Sequence, residues 1–437
     1  MRNPASDKPS ATQPLAGVRV VEISSFVAAP LAGMTLAQLG AEVIRVDPIG
    51  GAADYHRWPL TDEGRSIYWT GLNKGKRSVA ADLRSPAGQQ LVSRLITSGG
   101  PTGGILLTNT AGRDWLDYDT LAGRRPDLIR LEILGRADGS TAVDYTVNAA
   151  TGFPLVTGPP DHDEPINHVL PAWDLLCGMY AALAITAAVR HRDATGEGSR
   201  ISLPLEDVAL ATAGNLGFLT EAALCGTRRP RLGNAIYGQY GQHFTRADGS
   251  AFMVVTLTPR HFRDLTELTG TRDAIETLAA ALKADFADEG TRYHHRDVLT
   301  ALFTPWFREH TADEITAALA NTSILWERYR TFDEVVTEPR VTENSMFTLL
   351  RQPDIGTYLA PGAPVSVNGT HIPARPAPRL GEHTEAVLHE RLGLSAASIA
   401  ELRASAIVAF DVGVEPSQVG SECGDILGRP FRHGGFQ

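Results

Sequence analysis

The chain has 437 residues, 43% of them hydrophobic and 21% charged, with a formal net charge of −10. Its length exceeds what one hydrophobic core usually serves, so two domains are expected. The acidic balance excludes a nucleic-acid footprint, which needs a dominant basic surface, while leaving room for a local basic groove around an anionic ligand.

The opening "MRNPASDKPSATQP" has no apolar core of the kind a signal peptide carries, and residues 1–13 read as a disordered arm. "VRVVEIS" (18–24) is rich in β-branched residues and predicts a buried strand. "LAGMTLAQLG" (31–40) predicts a short helix, with Ala32, Leu36 and Leu39 on one face and Gly40 as its stop. "EVIRVD" (42–47) is the next strand, so the three make a βαβ unit and imply a parallel sheet. The alternation continues with strand "RSVAADL", helix "SPAGQQLVSRLITS" and strands "GILLTN" and "LIRLEIL". A doubly wound α/β domain over 14–224 is expected, with ligands at the carboxyl ends of its strands. No intact G-x-G-x-x-G occurs, so a nicotinamide or flavin cofactor has no support.

After Asp174 comes a run without charge as far as Val189. It places Leu175, Met179, Ala182 and Val189 on one stripe with Leu176 and Leu183 beside it, and predicts a helix buried nearly all round. No run reaches the roughly 18 apolar residues of a membrane span, so no membrane partner is expected. From about 225 the texture changes to turns, aromatics and short β pieces, with "ADGS" between "GQHFT" and "AFMVV" as a hairpin signal. A smaller α+β domain over 225–335 follows, then a Pro/Gly-rich linker and one or two amphipathic helices over 336–410. Residues 411–437 read as a mobile tail. Three cysteines (Cys177, Cys225, Cys423) are too few and scattered for a disulfide framework or a zinc site, and suit a reducing cytoplasm.

Three stretches are candidates for chemistry. Asp174, in "HVLPAWDLLCGMYAALA", is either a helix N-cap or a nucleophilic carboxylate. The two are compatible, because the positive end of a helix favours the ionised form that attack requires. "NKGKRS" (73–78) with Arg84 is either a solvated basic loop or a phosphate groove in which Lys supplies charge and Arg forked donors. In "DYHRWP" (54–59), Arg57 either stacks on Trp58 or clamps a substrate carboxylate. No H-E-x-x-H or G-x-S-x-G occurs, so neither a metal site nor a serine hydrolase has support.

Several segments in order resemble the class III CoA-transferases, the CaiB/BaiF-like family. They are "PLAGVRVVEIS" with "AAPLAGMTLAQLGAEVIRVD", then "NKGKRSVAADLRSPAG", "DYTVNAATG", "TGEGSRISLPLED", "GNAIYGQY" and "PAPRLGEHTEAVL". The resemblance spans about residues 14–410. "DYHRWP", "GLNKGKRS", "VDYTVN", "NHVLPAWD" and "YLAPGAP" are most similar to the branch that moves CoA between the two carboxyl groups of mesaconate.

The resemblance implies an aspartate nucleophile at Asp174 and coenzyme A as part of the substrate, with no prosthetic group. It implies a CoA pocket carried by Phe26, Val27 and Ala28, by Ala81, Asp82, Leu83 and Arg84, and by Asn109. Lys74, Lys76 and Arg77 are added from the basic cluster. Pro48 stands where the family commonly has an arginine, and Arg113 is the candidate stand-in. Related racemases carry a histidine at the position of Val143, which cannot move a proton, so racemization is disfavoured. Arg57 and His168 are candidates for gripping the free carboxylate. Tyr237, Gly238 and Gly241 of "YGQYG" are candidates beside the reacting acyl group, the glycines because they allow close backbone approach. The resemblance also implies a homodimer of interlocked ring-like chains, with the C-terminal segment returning to the large domain. Rival expectations are an intermolecular CoA-transferase and a non-catalytic CoA-binding protein.

Overall fold

A computed structural model describes residues 13–110, 112–226 and 228–410. Six parallel strands form the central sheet: β1 (Arg19–Ile23), β2 (Glu42–Pro48), β3 (Arg77–Ala81), β4 (Ile105–Thr108), β5 (Ile129–Leu134) and β6 (Ser199–Pro204). Their order is β3-β2-β1-β4-β5-β6, and the short strand Val408–Ala409 extends the sheet antiparallel to β3. Val21 pairs with Ile44 on one side and Leu106 on the other, so β1 and β4 are the central neighbours. The chain winds outward from β1 in one direction and from β4 in the other, which is the doubly wound plan expected from the alternation.

The pleat sorts the residues of β1 and β2. Val21, Ile23, Ile44 and Val46 join one apolar core with Leu91, Leu95 and Ile96 of the helix Pro86–Thr97 and Val387 and Leu388 of the helix Thr384–Leu392. Alternate positions point the other way, and there Glu22, Arg45 and Asp47 are buried charges. That side is covered by α1 (Ala28–Gln38), which starts three residues earlier than its hydrophobic pattern predicts.

α1 packs on the long helix Ala172–Thr195. Gly178 permits the approach: a Cβ there would lie 2.8 Å from the Ala28 carbonyl oxygen. The long helix is not buried all round, contrary to its composition. Trp173, Cys177, Ala181, Ile185, Ala188 and Arg192 face inward, while Leu176, Met179, Tyr180 and Leu183 are exposed. Close approach of two helices selects small residues such as Cys177, Gly178 and Ala181 at the contact, and several bulky apolar side chains lie outside. By length and composition this helix is also long and apolar enough to cross a membrane, a test that core helices of soluble proteins pass as well. The expectation that no segment reaches that length is thereby corrected.

The chain divides into two units. The larger holds the sheet, residues 170–218 and the C-terminal segment from 342; the smaller holds residues 148–169 and 219–341. Residues 148–169, placed in the large domain by sequence, cluster with the small unit. In the smaller unit, Tyr240–Thr245, Ala251–Thr256 and Leu325–Arg328 form an antiparallel sheet, with the expected hairpin closing at Thr245–Ala251. Its core is aromatic, with Phe244 stacked on Phe307 at 4.1 Å between ring centres.

The stretch 336–410 is more structured than a linker. Phe347–Gln352 pairs with Gly356–Pro361, and a second small hairpin joins Ser366–Val367 to Thr370–His371. The Gln352 amide exchanges two hydrogen bonds with the Ala377 backbone. The segment then hooks onto β3, the Thr384 hydroxyl accepting from Ala80 N at 3.1 Å. Cys177 and Cys225 are free thiols; Cys423 and the 411–437 tail, like the 1–12 arm, lie outside the described residues.

Candidate active site

The strand order reverses between β1 and β4, and in doubly wound sheets the carboxyl ends of two such strands are where ligands bind. The loop after β1 carries Phe26, Val27 and Ala28; the loop after β4 begins with Asn109. The Asn109 side chain ties the two together. Its Oδ1 accepts from Ser25 N at 3.1 Å, and its Nδ2 donates to the Ser25 carbonyl at 2.8 Å. Phe26, next in the chain, has φ +67° and its ring is 42% exposed, while Val27 and Ala28 are buried.

Ala81 ends β3, and the loop after it carries Asp82 to Arg84. Ala81 and Leu83 are buried, the Asp82 carboxylate accepts from Arg84 N at 3.0 Å, and the Arg84 side chain is exposed. Arg113 reaches the same loop, its Nη1 3.5 Å from the Leu83 carbonyl. The structure thus brings together two exposed cations, Arg84 and Arg113, at the edge that the sequence assigned to the nucleotide.

The rest of the basic cluster is engaged inside the protein, which corrects the phosphate-groove expectation for Lys74, Lys76 and Arg77. Lys76 is buried, its Nζ donating to Glu22 at 2.9 Å, Asn73 Oδ1 at 2.8 Å and the Pro30 carbonyl at 2.8 Å. Burial lowers its pKa to about 8 against the pull of Glu22. Lys74 is buried and donates to the Gly71 carbonyl, while Arg77 pairs with Glu42 and Glu390, each at 2.8 Å. Sequence shows the charges but not the partners that the fold brings to them. Arg45 is the hub of this network. It pairs with Asp47 at 2.9 Å and Asp54 at 3.3 Å, and donates to Asn73 Oδ1 and the Ser24 carbonyl at 3.1 Å each. Burial works against its charge, but Asp47, Asp54 and Glu22 outweigh it and keep the guanidinium ionised.

Arg57 does not stack on Trp58, which is 67% exposed. Its guanidinium carbon lies 4.9 Å from the centre of the Tyr68 ring and 5.5 Å from that of Phe26, attractive positions for a cation. Ser66 sets the geometry: its hydroxyl caps the helix Ile67–Leu72 by accepting from Trp69 N and donates to the Arg57 carbonyl. The buried Tyr68 hydroxyl has no hydrogen-bond partner among the described residues, and burial raises its pKa. Tyr68 was not singled out from sequence, where it is one aromatic among many.

Asp174 is the third residue of the long helix, not its cap. Pro171 holds the cap position and has no side chain to bond. The cap is supplied from elsewhere: Asp144 Oδ2 accepts from Trp173 N at 2.8 Å and from Asp174 N at 3.2 Å. The Asp174 carboxylate is therefore not used in capping, and it makes no hydrogen bond among the described residues. Burial, and next the Asp144 charge, push its pKa up to about 7, while the Arg57 cation pulls the other way. Burial, with the Asp174 charge adding to it, pushes the Cys177 thiol up to about 12, so Cys177 stays protonated and inert. A carboxylate with free lone pairs, an adjacent cation and an unused hydroxyl donor can attack an electrophilic carbon and hold a second anion nearby.

His168, Tyr237, Gly238 and Gly241 belong to the smaller unit. There the Tyr237 hydroxyl donates to Glu221 at 2.5 Å and its ring lies under Arg229. Gly238 has φ +78° with open space where a Cβ would stand; Gly241 is a residue of the strand Tyr240–Thr245, paired with Val255.

A family model described as CoA-transferase family III matches residues 15–384. The chain is 47% identical over 399 residues to a 2-methylfumaryl-CoA isomerase of Chloroflexus aurantiacus, covering 90% of this chain and 98% of that protein. It is 27% identical to a succinyl-CoA–D-citramalate CoA-transferase of the same organism, over 91% of this chain and 98% of the relative. Among solved structures, a CaiB/BaiF family protein from Brucella suis superposes with a TM-score of 0.73 at 27% identity, covering 87% of this chain and 99% of that one. With a doubly wound sheet and these likenesses over nearly its whole length, the chain belongs to CoA-transferase family III and is an enzyme of that class.

Proposed function

We propose that this enzyme moves CoA between the C1 and C4 carboxyl groups of mesaconate, converting 2-methylfumaryl-CoA to 3-methylfumaryl-CoA through covalent intermediates on Asp174. The observation that carries the reading is the division of labour at the long helix: Asp144 does the capping, so the Asp174 carboxylate is left for chemistry. The 47% identity to a 2-methylfumaryl-CoA isomerase supports the substrate.

In this mechanism an Asp174 carboxylate oxygen attacks the C1 thioester carbonyl. The C–S bond breaks, giving an aspartyl–mesaconyl anhydride and CoA thiolate. The thiolate attacks the Asp174 carbonyl carbon, the anhydride C–O bond breaks, and aspartyl-CoA and mesaconate result. Mesaconate turns, and its C4 carboxylate repeats the two steps in reverse, so no proton is gained or lost. Retaining both fragments makes each attack intramolecular, which is worth roughly 7–11 kcal/mol of barrier. Arg57 grips the carboxylate that is not reacting, with the Tyr68 hydroxyl as a further donor; Arg84 and Arg113 meet the phosphates of CoA. The exposed face of Leu176, Met179, Tyr180 and Leu183 supports a homodimer.

The relative named for CoA transfer from succinyl-CoA to D-citramalate supports a second reading, an intermolecular transfer to a separate acid. Incubation with the C1 thioester alone separates the two. The isomerase makes the C4 thioester with no added acceptor, and labelled free mesaconate does not enter the product. Mass analysis of trapped enzyme should find CoA attached at residue 174; an unmodified Asp174 during turnover rules the covalent mechanism out.

A further inference from the structure

Phe26 is the described non-glycine residue with positive φ that follows β1 at the switch point of the sheet, in a conformation where Cβ crowds the following carbonyl oxygen. Such a residue persists only where its surroundings over-determine it. Both residues before it are pinned. The Ser24 carbonyl accepts from Arg45 and its hydroxyl donates to Glu22 at 2.7 Å, while the Asn109 amide grips Ser25 at both its N–H and its carbonyl. Asn109 is itself steadied by the turn in which Thr110 N donates to the Thr108 hydroxyl at 3.0 Å. With Ser25 fixed from β4, the sign of φ at Phe26 decides where its ring goes. The ring lies against Arg57, which Tyr68 flanks as well.

We propose that Phe26 is a positioning residue for Arg57: the Asn109 clamp on Ser25 holds Phe26 in its left-handed conformation, and the ring so placed fixes the guanidinium where the substrate's free carboxylate docks. The inference rests on the reading of Arg57 as the carboxylate clamp. It gives Asn109 a task reached through the backbone and not by direct contact with CoA. A guanidinium held near two rings by cation–π attraction, which uses no N–H donor, keeps its fork for a bidentate partner.

Phe26→Gly is the deciding variant, since glycine accepts the same backbone and removes only the ring. Its melting temperature should equal or exceed that of the parent, while KM for 2-methylfumaryl-CoA rises about tenfold or more with a smaller fall in kcat, the pattern of lost substrate binding. Phe26→Trp, which restores a ring, should recover most of the KM; Phe26→Leu should not. Asn109→Ala should raise KM likewise, and the double variant with Phe26→Gly should be no worse than the poorer single, because both act through one turn. Should Asn109→Ala fail to fold, the Gly, Trp and Leu series at position 26 decides alone. A Phe26→Gly enzyme with parental KM, or independent multiplying effects of the two sites, overturns the inference. Arg57→Ala separates the layers: a raised KM there with parental KM in Phe26→Gly sinks the positioning role alone, whereas parental KM in Arg57→Ala sinks the clamp and the inference together.

Discussion

The Asp144 carboxylate caps the helix that carries Asp174, one oxygen accepting from the backbone N–H of both Trp173 and Asp174. Its other oxygen, Oδ1, is buried with no hydrogen-bond partner among the described residues. The two carboxylates thus sit unlike at one helix end, Asp144 bonded to the backbone and Asp174 with no hydrogen bond among the described residues. The Asp144 charge makes Asp174 harder to ionise.

The Asp144 cap has a measurable worth. Asp144→Asn keeps an oxygen acceptor for the two N–H groups and Asp144→Ala leaves them orphaned, while both lose the charge. The Ala variant should be about 1 kcal/mol less stable than the Asn variant in urea unfolding. Equal stability would show that the contact contributes nothing.

Activity should follow the ionisation of Asp174. Attack needs the carboxylate, so kcat/KM should rise with pH through a limb centred near the Asp174 pKa of about 7. Asp144→Asn removes a like charge and should move the limb to lower pH. Arg57→Gln removes an opposite charge and should move it to higher pH. Profiles from product chromatography that leave the limb in place in both variants would contradict the electrostatic picture.

The same shift makes the Asp174 carboxylate a liability for stability. Asp174 has a folded-state pKa of about 7, raised from 3.8, so the folded protein binds more protons than the unfolded chain between those values. Stability therefore falls as pH rises across that window and the full cost is present above it. Asp174→Asn should melt higher than the parent at pH 8, with the difference shrinking toward pH 4. A pH-independent difference in calorimetry would show that the carboxyl is not strained by burial.

Two cations from one basic stretch should behave oppositely. Lys76→Met takes the nearer cation from buried Glu22, leaving it Arg45 at 3.7 Å, and should cost about 3 kcal/mol, while the folded fraction binds CoA as before. Arg84→Ala, at an exposed side chain, should leave the melting temperature unchanged and weaken CoA binding, with a reduced dependence on salt. Denaturant titration and calorimetric CoA binding test both; weakened CoA binding by folded Lys76→Met would restore that lysine to the ligand site.

The sequence by itself determined the architecture of the sheet. Period-two and continuous apolar runs alternating with helical ones are local signals, and "VRVVEIS", "EVIRVD" and "LIRLEIL" each became the strand they predicted. It also marked Asp174, because a carboxylate opening a long uncharged run stands out. It could not say which task that carboxylate performs. The deciding partner, Asp144, lies 30 positions earlier, and only the fold brings it to the helix end.

The fate of the basic cluster was likewise decided by tertiary structure. Lys76 reads as a surface charge until β1 places Glu22 beside it, 54 positions away, in a site from which water is excluded. Tyr68 and the left-handed turn at Phe26 left no pattern to read, since backbone angles and an unpaired hydroxyl are properties of packing. Periodicity is written along the chain and survives in isolation; the ionisation and aim of a side chain depend on neighbours that only the folded chain supplies.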